Sequence, residues 1–327
     1  MSAALPVDVV TMGEAMVLFC AMQPGALATV QQFRRATAGA ELNVAVGLSR
    51  LGLRVGYVSK VGRDSFGEYL LGFLDAEGID RSQVEVDDHH PTGFMLKSLE
   101  TDGTDPRIEY FRRGSAASHL GVADHPAAYC AGSRHLHLTG ISPPLGPAVR
   151  ELVQEMARQA RASGRSVSFD PNLRPRLWPS RQVMVEAVNQ LAAQADLVMP
   201  GLAEGSLLTG RDRPEDIADF YRERGAQRVV VKLGAEGAYY AGPDGHGTVP
   251  GWLVPRVVDT VGAGDGFAVG VISALLQGLS TEQAAARGNV IGARVVQFPG
   301  DCDGLPTWQE LSDLLQRGSF PEPPAPH

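Results

Sequence analysis

Short apolar runs alternate with helical stretches along most of the chain. Runs rich in β-branched residues predict strands over 7–12, 54–61, 135–138, 166–169, 196–199 and 228–231. Helices are predicted between them, over 44–51, 64–77, 147–162, 181–194 and 214–224. This alternation predicts an α/β fold with a mostly parallel central sheet and helices on both faces.

Two segments depart from this alternation. Residues 15–30 alternate weakly, which predicts a short hairpin at the rim of the sheet. Residues 92–113 predict a further pair of strands, joined by a polar turn at Asp102-Gly103. Two β-rich segments are therefore predicted in addition to the parallel sheet.

Composition narrows the class of protein. With 327 residues, of which 44% are hydrophobic, the chain can form one large α/β domain or two small ones around a sizeable core. A formal net charge of −8 argues against a nucleic-acid partner, because phosphate backbones need a basic surface. An anionic substrate would therefore be held by a local basic pocket rather than by the overall field.

The cysteines and the apolar segments indicate a cytoplasmic protein. Cys20, Cys130 and Cys302 are widely separated and form no CxxC pair, which favours buried or idle thiols in a reducing compartment. The first residues lack the pattern of a signal peptide, and no stretch of 18 consecutive apolar residues occurs. We therefore expect no membrane partner.

The stretch 259–270 combines glycines, one carboxylate and the start of an apolar helix. The first N–H groups of such a helix have no partner within it, and the helix dipole adds positive charge there. Glycines let this backbone approach an anion closely, so Gly262, Ala263 and Gly264 can hold a phosphate. Asp265 would repel that phosphate unless it has another task, such as taking a proton from a hydroxyl that attacks phosphorus.

Glycine spacing alone leaves open a plainer interpretation, in which Asp265 only caps the helix. Two other motifs do not fit. The stretch lacks the Lys-Ser/Thr pair of a GxxxxGK[ST] phosphate loop. Its glycines at 262, 264 and 266 also lack the G-x-G-x-x-G order of a dinucleotide fingerprint, so a nicotinamide dehydrogenase is the weakest candidate.

Two motifs of the chain are similar to those of one enzyme family. The sequence D-T-V-G-A-G-D at 259–265 resembles the C-terminal signature of the ribokinase-like (PfkB) carbohydrate kinases. The sequence G-A-E-L-N-V-A at 39–45, followed by V-G-R-D-S-F-G at 61–67, resembles the N-terminal signature of the same family. Two long matches in the right order are more specific than either alone, and the resemblance covers nearly the whole chain.

The resemblance implies a ribokinase-like fold, in which the two β-rich segments form a small β-sheet lid. It implies one kinase domain over 1–320, with lid segments at about 15–37 and 92–113, and a flexible tail over 321–327. A lid suits a kinase because the exclusion of water prevents wasteful ATP hydrolysis. Lid sheets expose an apolar face, so a homo-oligomer that pairs through the lid is expected.

The resemblance also implies ATP as phosphate donor and Mg²⁺, or a similar divalent cation, as cofactor. Asp265 would be the general base, and the backbone of Gly262, Ala263 and Gly264 would hold the developing charge. Many members place Mg²⁺ through water with an N-x-x-E motif, of which Glu204 remains while Gly201 replaces the Asn. The residues assigned to the nucleotide are Asn172, Arg174, Lys232, Gly234, Gly237, Gly262, Gly264 and Asn289.

Two further segments concern the sugar. The sequence at 169–178 resembles the D-x-N-x-R-x-x-x-W segment of fructokinases and of 2-keto-3-deoxygluconate kinases, and 110–118 resembles the second subfamily. Arg112 and Arg174 argue for a sugar acid, because a buried carboxylate without a partner is costly. The plainer alternatives are an exposed edge-strand charge for Arg112 and a turn residue for Asp301. The residues assigned to the sugar are Gly39, Ala40, Asn43, Phe94, Tyr110, Arg112, Arg174, Asp265 and Asp301.

The resemblance thus implies transfer of phosphate from ATP to the terminal hydroxyl of 2-keto-3-deoxygluconate. The alternative within the family is a fructokinase or another sugar kinase. An alternative of a different class is a catalytically idle sugar-binding or regulatory protein, although a binding protein has no need of a base at position 265.

Overall fold

The computed structural model describes residues 7–100 and 106–318. Its strands are β1 (Val9–Met12), β2 (Met16–Pro24), β3 (Phe33–Ala38), β4 (Val55–Gly62), β5 (Asp80–Asp87), β6 (Phe94–Leu99), β7 (Ile108–Phe111), β8 (His135–Thr139), β9 (Ser166–Asp170), β10 (Leu197–Val198), β11 (Arg228–Lys232), β12 (Gly237–Gly242) and β13 (Gly245–Pro250). Its α-helices are α1 (Ala40–Arg50), α2 (Ser65–Ala76), α3 (Ala127–Ala131), α4 (Pro147–Ala162), α5 (Arg181–Ala192), α6 (Leu202–Thr209), α7 (Pro214–Arg222), α8 (Ala263–Leu276), α9 (Thr281–Val295) and α10 (Trp308–Arg317).

A large sheet of nine strands forms the centre of the described residues, in the order β13-β12-β11-β10-β9-β8-β1-β4-β5. All neighbours from β11 to β5 run parallel, whereas β12 and β13 pair antiparallel at one edge. This confirms the predicted mostly parallel sheet. Because parallel strands end at the same edge, the loops that follow β1, β9 and β11 converge on one side of the molecule.

Helices cover both faces of the large sheet, as predicted. Alternation along β1 sends successive side chains to opposite faces. Val9 packs in the apolar cluster that contains residues of α1, α2, α8 and α9, whereas Val10 packs with α4, α5 and α7. Both side chains are fully buried.

A smaller sheet of four strands, in the order β3-β2-β6-β7, is separate from the large one. The pairs β2–β3 and β6–β7 are antiparallel, and β2–β6 is parallel. Met16, Leu18, Ala38 and Met95 form a small apolar cluster on one face of this sheet. The predicted second sheet is confirmed, while its action as a lid and the domain limits at 1–320 stay predictions.

Several details differ from the pattern-based expectation. Strand β5 was not predicted because it is an edge strand of polar residues with half-buried side chains, so it has no apolar run. The antiparallel strands β12 and β13 and the short helix α6 were also missed. The turn predicted at Asp102-Gly103 and the tail predicted over 321–327 lie outside the described residues. Within the described part of the chain, no helix combines the length and apolar character that crossing a bilayer requires.

Candidate active site

The site is built on the N-terminus of α8. Gly262 precedes this helix with a φ of 83°, a left-handed conformation that favours glycine. A Cβ atom at this position would also lie 2.7 Å from the carbonyl oxygen of Asp301. Both observations require glycine here, where the first turn of α8 begins beside the convergent loops.

Asp265 lies in the first turn of α8 and is only 7% exposed. Its Oδ2 accepts a hydrogen bond from Asn43 Nδ2 at 2.7 Å, and its Oδ1 accepts one from Asn172 Nδ2 at 3.2 Å. The two asparagines, which were predicted to contact sugar and nucleotide, therefore also orient the candidate base. The plainer interpretation of Asp265 as a helix cap finds no support, because neither oxygen accepts a bond from its own helix in the described hydrogen bonds.

Each asparagine is itself held in place. Cys302 Sγ donates to Asn43 Oδ1 at 2.9 Å, so the amide nitrogen of Asn43 points at Asp265. Asn172 has a φ of 38°, an uncommon left-handed conformation for a residue with a side chain. Its backbone N–H donates to Asp170 Oδ1 at 3.2 Å, which fixes the turn after β9. Cys302 is buried, in line with the prediction of buried or idle thiols, and it also orients the Asn43 amide.

The environment of Asp265 favours its protonated form. Burial raises the pKa of Asp265 to about 7, and the carboxylates of Asp170 and Asp301 act in the same direction. The hydrogen bond from Asn43 and the charge of Lys232 act against them. A carboxyl group with a pKa near neutrality is suited to accept a proton from a hydroxyl and to release it again.

Two cavities meet at the start of α8. The first has a volume of about 390 Å³ and is bounded by the small sheet, the start of α1 and the turn after β9. The second has a volume of about 320 Å³ and lies between the turn after β11, α8 and α9. Lys232, Thr260 and Gly264 line both cavities, so a group bound in one would face a group bound in the other across the glycine loop.

Most predicted site residues lie on these two cavities. Those that line the first are Gly39, Ala40, Asn43, Tyr110, Asn172, Arg174, Glu204, Lys232, Gly262, Gly264, Asp265 and Asp301. Those that line the second are Lys232, Gly234, Gly237, Ala263, Gly264 and Asn289. Asn172, Arg174 and Gly262, which were assigned to the nucleotide, line only the first cavity, because the turn after β9 and the start of the glycine loop face that side.

Phe94 and Arg112 line neither cavity. Strand alternation brings Met95 to the first cavity, while Phe94 stacks on Phe111 with ring centroids 4.7 Å apart. Arg112 is buried and forms an ion pair with Glu14. Arg112 is thus neither an exposed edge-strand charge nor a cavity wall, although its Nε and Nη1 have no hydrogen-bond partner among the described residues.

An ion pair that motif reading missed lies between the two cavities. Lys232 Nζ donates to Asp170 Oδ2 at 2.7 Å, and the side chain of Asp170 is only 2% exposed. Burial disfavours charge on Lys232, but the carboxylates of Asp170 and Glu204 hold its pKa above the ordinary value. The position of Asp170 at the end of β9 is the signal that could have identified it, because ligands of parallel sheets bind there.

Glu204, the predicted metal residue, is engaged with the backbone. Its Oε1 accepts from the N–H of Leu173 at 2.7 Å, and its Oε2 accepts from the N–H of Gly201 at 2.8 Å. Among residues 7–100 and 106–318, no three His, Cys, Asp or Glu side chains cluster closely enough to hold a metal ion. A divalent cation would therefore need further ligands from a bound phosphate or from water.

Comparison with known proteins gives consistent matches over nearly the full length. The sequence profile of the pfkB family carbohydrate kinases matches residues 7–308. The chain is 50% identical to a 2-dehydro-3-deoxygluconokinase from Bacillus subtilis (strain 168), over 95% of this chain and 96% of that protein.

Solved structures agree with these matches. The crystal structure of a PfkB protein from Polaromonas sp. JS666 is 53% identical, with a TM-score of 0.87 over 94% of this chain and 99% of that one. A putative ribokinase II from E. coli, in complex with ATP and Mg²⁺, is 26% identical, with a TM-score of 0.86 over 95% of this chain and 99% of that one.

The raised pKa of Asp265 predicts a pH-dependent cost to stability. Folding lifts this pKa from 3.8 to about 7, so the folded state binds the proton more tightly and loses stability as the pH rises from 4 to 8. Asp265→Asn should remove this loss. The free energy of unfolding of the variant, relative to wild type, should therefore rise by about 2–4 kcal/mol between pH 4 and pH 8.

Urea denaturation at several pH values measures this difference. Asp212→Asn, at an exposed position, is the control and should show no such trend. A relative stability of Asp265→Asn that is flat with pH would contradict the assigned environment of this carboxyl group.

Proposed function

The chain belongs to the pfkB family of carbohydrate kinases, which transfer phosphate to an alcohol group, and we propose that it phosphorylates the terminal hydroxyl of 2-keto-3-deoxygluconate with ATP. The products would be 2-keto-3-deoxy-6-phosphogluconate and ADP. The observation that carries the proposal is Asp265, which lies beside the glycine loop shared by the two cavities. The substrate follows the relative that is 50% identical, since 2-dehydro-3-deoxygluconate is the same compound. That relative gives no support to the fructokinase alternative.

In this proposal Asp265 is the general base. Its carboxylate lines the first cavity, and two asparagine amides fix its orientation. It takes the proton of the terminal hydroxyl as that oxygen attacks the γ-phosphorus of ATP. After the phosphorylated sugar leaves, Asp265 gives this proton to water, which a pKa of about 7 permits near neutral pH.

The start of α8 stabilises the charge that develops on the transferred phosphate. The N–H groups of Gly262, Ala263 and Gly264 lie at the positive end of the helix dipole. Because the loop is already folded around Gly262, these donors need little reorganisation; only the N–H of Ala263 would have to leave the carbonyl of Thr260, to which it donates at 3.4 Å. Lys232, which lines both cavities, adds a positive charge at their junction.

ATP would occupy the second cavity. Most of its wall consists of glycines and apolar side chains, which suit a flat adenine; Gly234 and Gly237 belong to it, together with the polar Asn289. The Asn289 amide donates to the carbonyl of Pro250 at 3.0 Å, which holds the wall formed by the end of β13. The binding of ATP and Mg²⁺ by the E. coli relative supports this assignment.

The residues where the phosphates of ATP would lie also fit a magnesium ion. Glu204 and Asp170 provide carboxylate oxygens at the first cavity, and such oxygens suit Mg²⁺ directly or through water. Their present hydrogen bonds leave further lone pairs free to accept. When bound, the ion neutralises the charge of the transferred phosphate.

The sugar acid would occupy the first cavity, with its carboxylate at Arg174. Arg174 lines this cavity and makes no ion pair in the described part of the chain; its Nη1 donates to the carbonyl of Leu173 at 2.9 Å, and its remaining N–H groups are available to a carboxylate. The other cation of this wall, Lys232, is already paired with Asp170. The hydroxyl groups of the sugar acid would contact the other residues of this wall, among them Gly39, Ala40 and Tyr110. Arg112 lines neither cavity and pairs with Glu14, so we assign it no direct contact with the sugar.

The small sheet would act as a lid and as the contact between subunits. Met95, Ile108 and Tyr110 from this sheet line the first cavity, so the sheet would cover the sugar. On the face turned away from this cavity it exposes Phe111, at 47%, which pairs in register with Phe94. An exposed apolar sheet face supports pairing of two such sheets in a homo-oligomer.

Substrate preference tests the proposed function directly. ADP release is measured with ATP, Mg²⁺ and one of four compounds: 2-keto-3-deoxygluconate, gluconate, fructose or ribose. Strong turnover is expected with 2-keto-3-deoxygluconate alone. Turnover with fructose or ribose instead would retain the kinase and overturn the sugar-acid assignment, whereas no turnover with any of the four would contradict the proposed reaction.

Arg174→Gln tests the carboxylate contact. Loss of a charge-assisted hydrogen bond of about 1.5–3 kcal/mol should raise the KM for 2-keto-3-deoxygluconate by roughly 10–150-fold. Arg176→Gln, at an exposed position two residues further on that lines neither cavity, is the matched control. Steady-state kinetics of both variants give the answer, and an unchanged KM in Arg174→Gln would assign the carboxylate to another residue.

A further inference from the structure

A buried lysine from the small sheet lies between two carboxylates of the large domain. The side chain of Lys97 is 4% exposed, and its Nζ pairs with Asp259 and, at 3.1 Å, with Asp301 Oδ1. The side chains of the two aspartates are 7% and 4% exposed. Burial opposes charge on Lys97, yet these carboxylates hold its pKa above the ordinary value, so the ammonium stays charged.

The two aspartates belong to the segments that hold the glycine loop. Asp259 opens the loop, and its Oδ1 accepts from the N–H of Val261 at 3.0 Å. Asp301 contributes the carbonyl oxygen against which Gly262 packs. The Lys97 ammonium therefore connects the segment at Asp259, which precedes the glycine loop, to the segment at Asp301, which packs against the loop.

Without this cation the arrangement would be unstable. Two carboxylates that share one buried ammonium would repel each other, and each would have lost water without a partner. The segments at Asp259 and Asp301 would then move apart, and the N–H groups at the start of α8 would lose their alignment. Misplacement of such groups by about 1 Å can lower a rate by roughly 100-fold.

We propose that Lys97 is a positioning residue, a built-in cation that holds the glycine loop in the shape that binds the transferred phosphate. It contacts neither substrate cavity and acts through Asp259 and Asp301. Because Lys97 belongs to β6, it also couples the position of the small sheet to the conformation of the glycine loop. The inference rests on the proposed phosphoryl transfer.

A cavity beside Lys97 allows its role to be tested by chemical rescue with small amines. A separate cavity of about 360 Å³ lies beside the cluster and is lined by Lys97, Asp259 and Arg34, among other residues. In Lys97→Ala, ammonium or methylammonium ions can enter from this cavity and take the place of the lost side-chain nitrogen. Tetramethylammonium has no N–H donor, so it controls for ionic strength.

Lys60→Ala is the matched control for the loss of a paired lysine. Lys60 is also largely buried, with 10% side-chain exposure, and it also pairs with two carboxylates, Glu85 and Asp124, each at 3.3 Å. It lines neither substrate cavity. Its removal should affect stability without changing the response of kcat to added cations.

The experiment measures kcat, KM and ATP affinity for wild type, Lys97→Ala and Lys60→Ala. In Lys97→Ala we expect kcat to fall at least about 10-fold, with a smaller change in the KM for the sugar. We also expect calorimetry to show weaker ATP binding. Ammonium or methylammonium should restore both kcat and ATP affinity several-fold, whereas wild type and Lys60→Ala should not respond.

Two outcomes would overturn the proposal: a wild-type kcat in folded Lys97→Ala, or a loss that the amines restore no better than tetramethylammonium does. If the alanine variant does not fold, Lys97→Arg and Lys97→Met replace it. The arginine variant should then keep more activity than the neutral methionine variant, and equal activity would contradict a role for the charge. If wild type turns over none of the sugars, the proposed function fails, and rescue of ATP binding still tests Lys97.

Discussion

The hydrogen bond between Asn43 of α1 and Asp265 of α8 is the contact on which the site depends. It joins two helix N-termini that are 222 residues apart in sequence, and it does so at 2.7 Å in a buried position. The two helices can approach this closely because Gly47 faces Val269, where a Cβ atom would lie 2.5 Å from the valine side chain. The geometry of the candidate base therefore follows from the packing of the helices behind it.

The hydrogen bond between Asn43 and Asp265 is surrounded by buried charged groups of both signs. Asp265, Asp170 and Asp301 are three carboxyl groups around one loop, and each is nearly removed from water. Lys232 and Lys97 supply the opposing charge from two different strands. Burial is costly for all five groups, so the site holds them only because the two sheets and α8 position them together. That cost is acceptable at a site where a carboxylate must take up and release a proton near neutral pH.

The sequence revealed the parts of this arrangement that are local. The glycine loop with Asp265, the segment from Gly39 to Asn43 and the strand–helix alternation all depend on neighbouring residues, and patterns record these well. The roles of Phe94, Arg112 and Lys97 depend instead on strand register, which decides the face on which each side chain lies. A lysine two positions after Met95, on the same inward face of β6, was the available signal for the Lys97 cluster. Its partners Asp259 and Asp301 lie more than 150 residues away in sequence, so no local pattern could identify them.

The central claim is that Asp265 removes the proton from the attacking hydroxyl, and its replacement by asparagine measures this most directly. Asp265→Asn preserves the size of the side chain, so the variant should fold and bind ATP as wild type does, which calorimetry verifies. With 2-keto-3-deoxygluconate and ATP at saturating concentrations, kcat should fall by about 10²–10⁴-fold, the usual contribution of a general base. A folded variant that binds ATP and retains more than about a tenth of the wild-type kcat would contradict the account.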